Sequence, residues 1–439
     1  MSELALLGGP KMLNVSLPDE LFHWPIITKE DEDAVLDVLH RNAMSGTDIT
    51  EQFQNEFAAW QERRYCLAYC NGTMALQAAM FAVGLGAGDE LICPTKTYWA
   101  SCTAAQTMGA SVVFANIDET LCIDPDDLER CISPRTRAIM VVHYFAHPAD
   151  MDRIMEIADR HGIPVIEDVS HAQGGYYKGK KLGTFGVIAA MSLMSGKSFA
   201  AGELGALVCD DTKLYERALA FAHYERFNER YITESDDLKP YCHIPLAGIK
   251  GRANQMSTAM ARVQLKYYDE RTKEIRRAMN YFWDRLDGLP GIRPLRVDES
   301  DGSTMAGWYC PHGIYKKEEL GGLPVSRFTE AVRAETDNHC WAGGNFCLHT
   351  HPVFRDYDYF HLGRPSRIAF SDRDVRDLDA ACDRSLSIDC FSIPWFKRLL
   401  PEYIDLYADA YKKVIANYRE LLDGSEGISD GRWYGKENR

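Results

Sequence analysis

The sequence predicts an α/β fold built on a largely parallel sheet. Three observations carry that reading. Short apolar runs of strand length recur from residue 66 to about residue 210. Amphipathic, helix-length segments fall between them. Such strict strand–helix alternation is the pattern of βαβ units, whose crossovers make neighbouring strands parallel.

The elements follow in order. Thr28, with Asp31 three residues on, reads as the cap of a first helix over 31–42, and Thr50 as the cap of a second over 51–64. The strand candidates are 66-CLAYC-70, 90-ELICP-94, 111-SVVFANI-117, 138-AIMVVHYF-145, 163-IPVIED-168 and 188-IAAMSL-193. Helices are expected over 73-TMALQAAMFAVGL-85, 100-ASCTAAQTMG-109 and 150-DMDRIMEIADRHG-162. A long helix is expected over 254–286, and a smaller α+β unit after it, with helices near 326–335 and 403–422. The division expected is a large domain over 1–270, a small one over 271–425, and a polar tail over 426–439.

Composition narrows the function. The 439 residues are 46% hydrophobic and 26% charged, as in a soluble globular protein. Sixty-four acidic against 49 basic residues give a net charge of −15. Such a surface repels phosphate backbones, which argues against nucleic-acid binding. No apolar run approaches the ~20 residues of a membrane span. The N-terminal stretch lacks the pattern of a secretory signal. Thirteen cysteines without a CxxC pair fit reduced, buried thiols, so a cytoplasmic protein is expected.

Ligands of parallel α/β sheets gather at the carboxyl ends of the strands. Four groups fall there. In 70-CNGTMALQAAM-80 a strand turns at Gly72 and a helix starts at Thr73; a helix start binds anions through its free N–H groups, or is simply capped. In 94-PTKTYWAS-101, Tyr98 is placed to stack on a flat ligand or to pack in the core. In 163-IPVIEDVSHAQGG-175, Asp168 closes a strand and His171 follows; the carboxylate suits a cationic ring nitrogen, a metal or a turn. In 192-SLMSGKSFAAGELGALV-208, Ser192 ends a strand and Lys197 lies in a loop of small residues. Lysine attacks carbonyls once its pKa is lowered. In this order the groups are the parts that hold pyridoxal 5′-phosphate: a helix start for phosphate, an aromatic over the ring, a carboxylate for the ring nitrogen and a lysine for the imine.

These motifs resemble the DegT/StrS family of sugar and aminocyclitol aminotransferases, over roughly residues 20–420. The most specific parts are EDVSHAQGGYYKGKKLGTFG and SLMSGKSFAAGELGALVCDD. Where the family has GEGG, this chain has GELG at 202–205. The resemblance implies fold-type-I architecture, pyridoxal phosphate as cofactor and a homodimer with shared active sites. It implies Lys197 as the Schiff-base lysine, Asp168 as the pyridinium partner, Gly72, Thr73 and Ser192 as phosphate ligands, Tyr98 as the stacking aromatic, and His171 beside the ring oxygen. The stretch 248-GIKGRANQMSTAMARVQL-265 matches the segment that reaches the partner's cofactor, with Lys250 where many members carry asparagine. The implied chemistry is ping-pong transfer from glutamate or glutamine to a sugar or cyclitol ketone. A branch with histidine in place of the lysine deoxygenates sugars instead. The alternatives are another pyridoxal-phosphate reaction, such as dehydration or oxidative deamination, and a ligand-sensing regulator.

Two other stretches stand out. The segment 339-HCWAGGNFCLHTHPVF-354 is rich in histidine and cysteine, but its spacing fits no standard zinc pattern, so no metal is expected. Its position resembles the family's substrate loop, which makes His349 and His351 candidate substrate contacts. The Ser45-Gly46 pair corresponds to another such loop.

Overall fold

The computed structural model describes residues 2–425, so the tail expected at 426–439 lies outside them. Two N-terminal helices, α1 (Lys29–His40) and α2 (Asp48–Trp60), precede the alternating region. That region runs β1 (Tyr65–Tyr69), α3 (Gly72–Ala82), β2 (Glu90–Pro94), α4 (Thr103–Thr107), β3 (Ser111–Ala115), α5 (Pro125–Cys131), β4 (Thr136–Val142), α6 (Met151–His161) and β5 (Val165–Asp168). A short hairpin, β6 (Tyr176–Tyr177) and β7 (Lys180–Lys181), leads to β8 (Ile188–Ser192), β9 (Gly205–Cys209), α7 (Thr212–Ala222) and the 31-residue α8 (Gln255–Arg285). The remainder holds β10 (Ile292–Pro294), β11 (His312–Tyr315), α9 (Val325–Glu335), α10 (Pro352–Arg355), β12 (Cys390–Ser392) and α11 (Pro401–Ala416).

Seven strands form one sheet in the order β1-β9-β8-β5-β4-β2-β3. Only β9 runs against its neighbours, β1 and β8; the pairs from β8 to β3 are parallel. The strands are buried on both faces, which explains why they read as continuous apolar runs rather than alternating ones. A second, antiparallel sheet, β10-β11-β12, packs with α9, α11 and the later part of α8 around its own core, which includes Phe282, Trp283, Phe328 and Tyr411. The helix α8 runs through residue 270 without a break.

Local chemistry explains most boundaries. Thr28 and Asp31 form the expected reciprocal cap on α1, although the helix begins at Lys29. In α6, Asp150 caps the start and Gly162 closes the end in the left-handed conformation. Its buried Met151, Ile154, Ile157 and Ala158 recur at helical spacing; each large apolar side chain removed from water contributes about 1.5–3 kcal/mol. Thr50 is not a cap. The second helix starts two residues earlier, at Asp48, and its amides at Ile49 and Thr50 donate to the side chain of Gln255, on α8. The Thr50 hydroxyl is buried against that of Thr258. A cap supplied from about 200 residues away leaves no local signal.

Candidate active site

Sheet order brings the sequence motifs together. Because β9 lies between β1 and β8, Gly205 pairs with both Tyr69 and Ser192. The turn after β1 therefore meets the end of β8. A Cβ added to Gly72 would sit 2.6 Å from Ser192 Cβ, and one on Gly205 would sit 2.2 Å from the Asn71 carbonyl oxygen. Both glycines are needed for that contact, which accounts for the last glycine of GELG. Asn71, not Thr73, caps α3; its side chain accepts from the Met74 N–H at 2.8 Å. The first helical amides, at Gly72 and Thr73, have no carbonyl one turn back to bond. Such free amides at a helix start suit an anion, and Ser192 lies against them.

Asp168 closes β5, in register with Val142 and Ala190 on the flanking strands, and is 4% exposed. One carboxylate oxygen accepts from the Ser101 hydroxyl at 2.7 Å and the other from the Ser170 N–H at 3.0 Å. Both bonds fix the orientation of the carboxylate. Ser101 ends the short turn that opens at Tyr98, so the half-exposed Tyr98 ring stands next to the segment that clamps the carboxylate.

His171 is buried, and its Nδ1 accepts from the Phe145 N–H at 3.2 Å, which leaves the proton on Nε2. Burial, helped by the nearby Lys197, holds its pKa well below the usual histidine value, so the ring is neutral.

Lys197 is 9% exposed. Burial lowers its amine to about 8, against the opposing pull of Asp168 and Cys310. Its Nζ lies 4.1 Å from the centre of the Tyr309 ring. The loop that carries it is fixed from several sides. The Lys197 N–H donates to Met194 O at 2.8 Å, and its own carbonyl accepts from Trp24 Nε1 at 2.9 Å. Ser198 donates to Gln173 Oε1, while Gln173 Nε2 donates to Ser192 O at 2.6 Å. A buried amine of lowered pKa, a buried carboxylate and a helix start with free amides, gathered on the side of the sheet where strands end, fit pyridoxal phosphate.

The other candidates have contacts of their own. Lys250 is exposed, with Nζ 5.1 Å above the Tyr224 ring, on the segment that leads into α8. His349 is 4% exposed and turned to the Thr95 hydroxyl and to Asp383, 3.3 Å from its Nε2. His351 caps α10, its Nδ1 accepting from the Val353 N–H. Ser45 O accepts from Arg252. Among the described residues no cluster of three or more His, Cys, Asp or Glu side chains is arranged to hold a metal. Ser101, Gln173, Tyr309 and Trp24 are site residues that sequence reading missed. Gln173 stands inside the EDVSHAQGG motif and was within reach; the other three carry no local signal.

The comparisons agree with this geometry. Residues 25–361 match the model of the DegT/DnrJ/EryC1/StrS aminotransferase family. The chain is 33% identical to an L-glutamine:2-deoxy-scyllo-inosose aminotransferase of Micromonospora echinospora, over 96% of this chain and 100% of that one. It is 39% identical to a GDP-perosamine synthase of Escherichia coli O157:H7, over 80% of this chain and 94% of the relative. The crystal structure of 3-amino-5-hydroxybenzoic acid synthase superposes with a TM-score of 0.73 at 27% identity, covering 91% of this chain and 99% of that one. The expected fold-type-I architecture is thereby met. The chain belongs to the DegT/DnrJ/EryC1/StrS aminotransferase family and is a transferase that works with pyridoxal 5′-phosphate.

Proposed function

We propose that this enzyme transfers the amino group of L-glutamine to the ketone carbon of a cyclitol. The observation that carries the reading is the end-to-end match to scyllo-inosose aminotransferases of Micromonospora echinospora and Streptomyces griseus, each covering 96% of this chain. Lysine at position 197 separates the chain from the histidine-bearing dehydratase branch.

In this reading Gly72, Thr73 and Ser192 would hold the phosphate, Tyr98 would cover the ring, His171 would stand beside the ring oxygen, and Asp168 would keep the ring nitrogen protonated. The cofactor, when bound, supplies an electron sink for the carbon that loses its proton. Lys197 moves that proton, first as base and then as acid. An amine of pKa about 8 suits this work, because both its forms are populated near neutral pH. Ser101 and the Ser170 amide hold the Asp168 side chain aimed. Gln173 and Trp24 hold the lysine loop in register with Ser192.

Further parts of the reading concern assembly. A homodimer would bring the exposed Lys250 to the partner's cofactor phosphate as a point charge. The division between large and small domains falls inside α8, near residue 270. Thirteen free cysteines, ten of them buried, suit a reducing cytoplasm. His349 and His351 remain the substrate contacts proposed from the sequence.

The test is a pair of half-reactions followed by absorbance. L-glutamine and L-glutamate are offered separately as donors, then scyllo-inosose, 2-deoxy-scyllo-inosose and a GDP-linked 4-ketosugar as acceptors. Turnover with L-glutamine and a free cyclitol supports the proposal. Turnover only with the nucleotide sugar would replace the cyclitol by the substrate class that the perosamine synthase match favours.

A further inference from the structure

The site contains a group that the motifs do not account for. Tyr309 lies on the loop before β11, 112 positions beyond Lys197 in the chain, and its ring centre is 4.1 Å from Lys197 Nζ. The loop that presents it is strained. Ala306, Trp308 and Cys310 have φ of 45°, 51° and 54°, a left-handed conformation that costs energy for residues with a Cβ. Backbone of that kind persists only where the surroundings dictate it. Here they do. Gly307 lies against Ser198, the neighbour of Lys197; a Cβ on it would come within 2.4 Å of Ser198 Cβ. Trp395 Nε1 donates to Gly307 O at 2.9 Å, and the Trp395 ring stands edge-on to Tyr309 at 5.7 Å. Trp395 is in turn braced. The amine of Lys397, 5% exposed, rests on its face at 2.6 Å from the ring centre, and Trp24 lies 6.4 Å away. Trp24 is the residue whose indole N–H holds Lys197 O.

We propose that Tyr309 is a catalytic residue whose ring face is the resting place of the Lys197 amine whenever that amine is free, and that Trp395 and Trp24 are the positioning residues that keep ring and amine in contact. The inference rests on the reading of Lys197 as the proton-moving group. The electron-rich face of an aromatic ring attracts an ammonium, more strongly when water is excluded. The groups that face the amine are Asp168 at the end of β5, His171 just after it, and Tyr309 and Cys310 from the loop before β11; Cys390 on β12 and His312 on β11 stand behind them. His171 and Cys310 are uncharged in their buried settings. The Tyr309 ring therefore joins Asp168 in favouring the charged amine against burial. The ring also holds the amine at a fixed place between its two proton transfers.

The experiment uses donor-treated, cofactor-loaded enzyme, in which the amine is free. Two quantities are read in the wild type and in Tyr309→Leu, Tyr309→Phe and Trp395→Phe, with Lys197→Ala as the control for turnover. One is the acid limb of the rate of the ketone half-reaction. The other is the Nζ titration of Lys197 by NMR of enzyme labelled with 13C/15N-lysine, which needs no turnover. Tyr309→Leu is expected to lower both midpoints by roughly 0.4 to 1.5 pH units, the equivalent of one lost ring-face contact. Tyr309→Phe keeps the ring and is expected to keep both midpoints. Trp395→Phe is expected to shift them partway, and to add nothing in a Tyr309→Leu background. If Tyr309→Leu binds cofactor and leaves both midpoints unmoved, the inference is overturned while the reading of Lys197 stands. If Lys197→Ala turns over normally, it is the reading of Lys197 that fails.

Discussion

Replacing Gly72 by alanine tests the phosphate cradle with the smallest possible change. The new Cβ would lie 2.6 Å from Ser192 Cβ, 2.7 Å from its Cα and 2.8 Å from its backbone nitrogen. The closest approach is about 0.8 Å short of the 3.4 Å at which ordinary van der Waals contact begins. Ser192 cannot yield cheaply. Its N–H donates to Ser170 Oγ, its carbonyl accepts from Gln173, and it is paired with Gly205 on β9. The helix start must then move, at an overpacking cost of about 1–3 kcal/mol. Displacing the Gly72 and Thr73 amides from Ser192 by that much also breaks the phosphate geometry. Affinity for pyridoxal phosphate is expected to fall roughly 10- to 100-fold, with each tenfold step worth about 1.4 kcal/mol. Cofactor titration followed by visible absorbance reads the affinity, and the midpoint of thermal unfolding without cofactor reads the packing cost. Wild-type affinity in Gly72→Ala would refute the assignment of this turn as the phosphate site, whatever the unfolding midpoint.

Three further outcomes follow from the same geometry. Lys197→Ala is expected to lose the visible band of the lysine-bound cofactor and at least ~100-fold of the transfer rate, the low end of what a positioned acid–base group contributes; an unchanged spectrum would remove the lysine from its proposed role. Ser101→Ala takes from the buried Asp168 the one side-chain donor it has among the described residues and is expected to lower kcat/KM by about 10- to 100-fold, as for the loss of a hydrogen bond to a charged group worth ~1.5–3 kcal/mol; a value within twofold of wild type would show that Ser101 does not hold the carboxylate. The ketone half-reaction is expected to rise with pH toward a plateau with a midpoint near 8, because burial lowers the folded-state pKa of Lys197 to about 8 from 10.5 and only the free amine accepts a proton. At pH 7 roughly a tenth of the amine is then free, against fewer than one in a thousand for a solvated lysine; a midpoint near 10 would contradict the burial argument.

The legible part of the protein was local. A strand that ends in Asp168, a strand that ends in Ser192 with Lys197 five residues on, and a glycine before a helix start are all short-range patterns. The parallel sheet places such strand ends together as a rule. What stayed hidden came from contacts between distant segments. Ser101 holds Asp168 across 67 residues and Trp24 holds Lys197 across 173. The start of α2 was misread because its amides are satisfied by Gln255 rather than by a neighbour. The sequence reads as a helix starting at Thr73, but Asn71 caps α3 and Gly72 is its first residue. Nor does the histidine-rich segment announce its contacts: His349 meets Thr95 and Asp383, and His351 caps α10.

This division has a consequence for how variants behave. The local motif supplies groups of the right kind, but a lysine beside an aspartate in water would titrate near 10. The working pKa is a product of tertiary burial, set by the loop from 305 to 310, the N-terminal segment and the end of β8 closing over one amine. Substitutions inside the motifs should remove the cofactor or the reaction outright, as at Gly72 and Lys197. Substitutions in the closing segments should leave the cofactor bound and move the pH dependence instead. A variant such as Trp24→Phe, which keeps an aromatic ring but loses the donor to Lys197 O, belongs to the second class. Were it to abolish cofactor binding without touching the unfolding midpoint, the separation between local chemistry and tertiary tuning would not hold for this site.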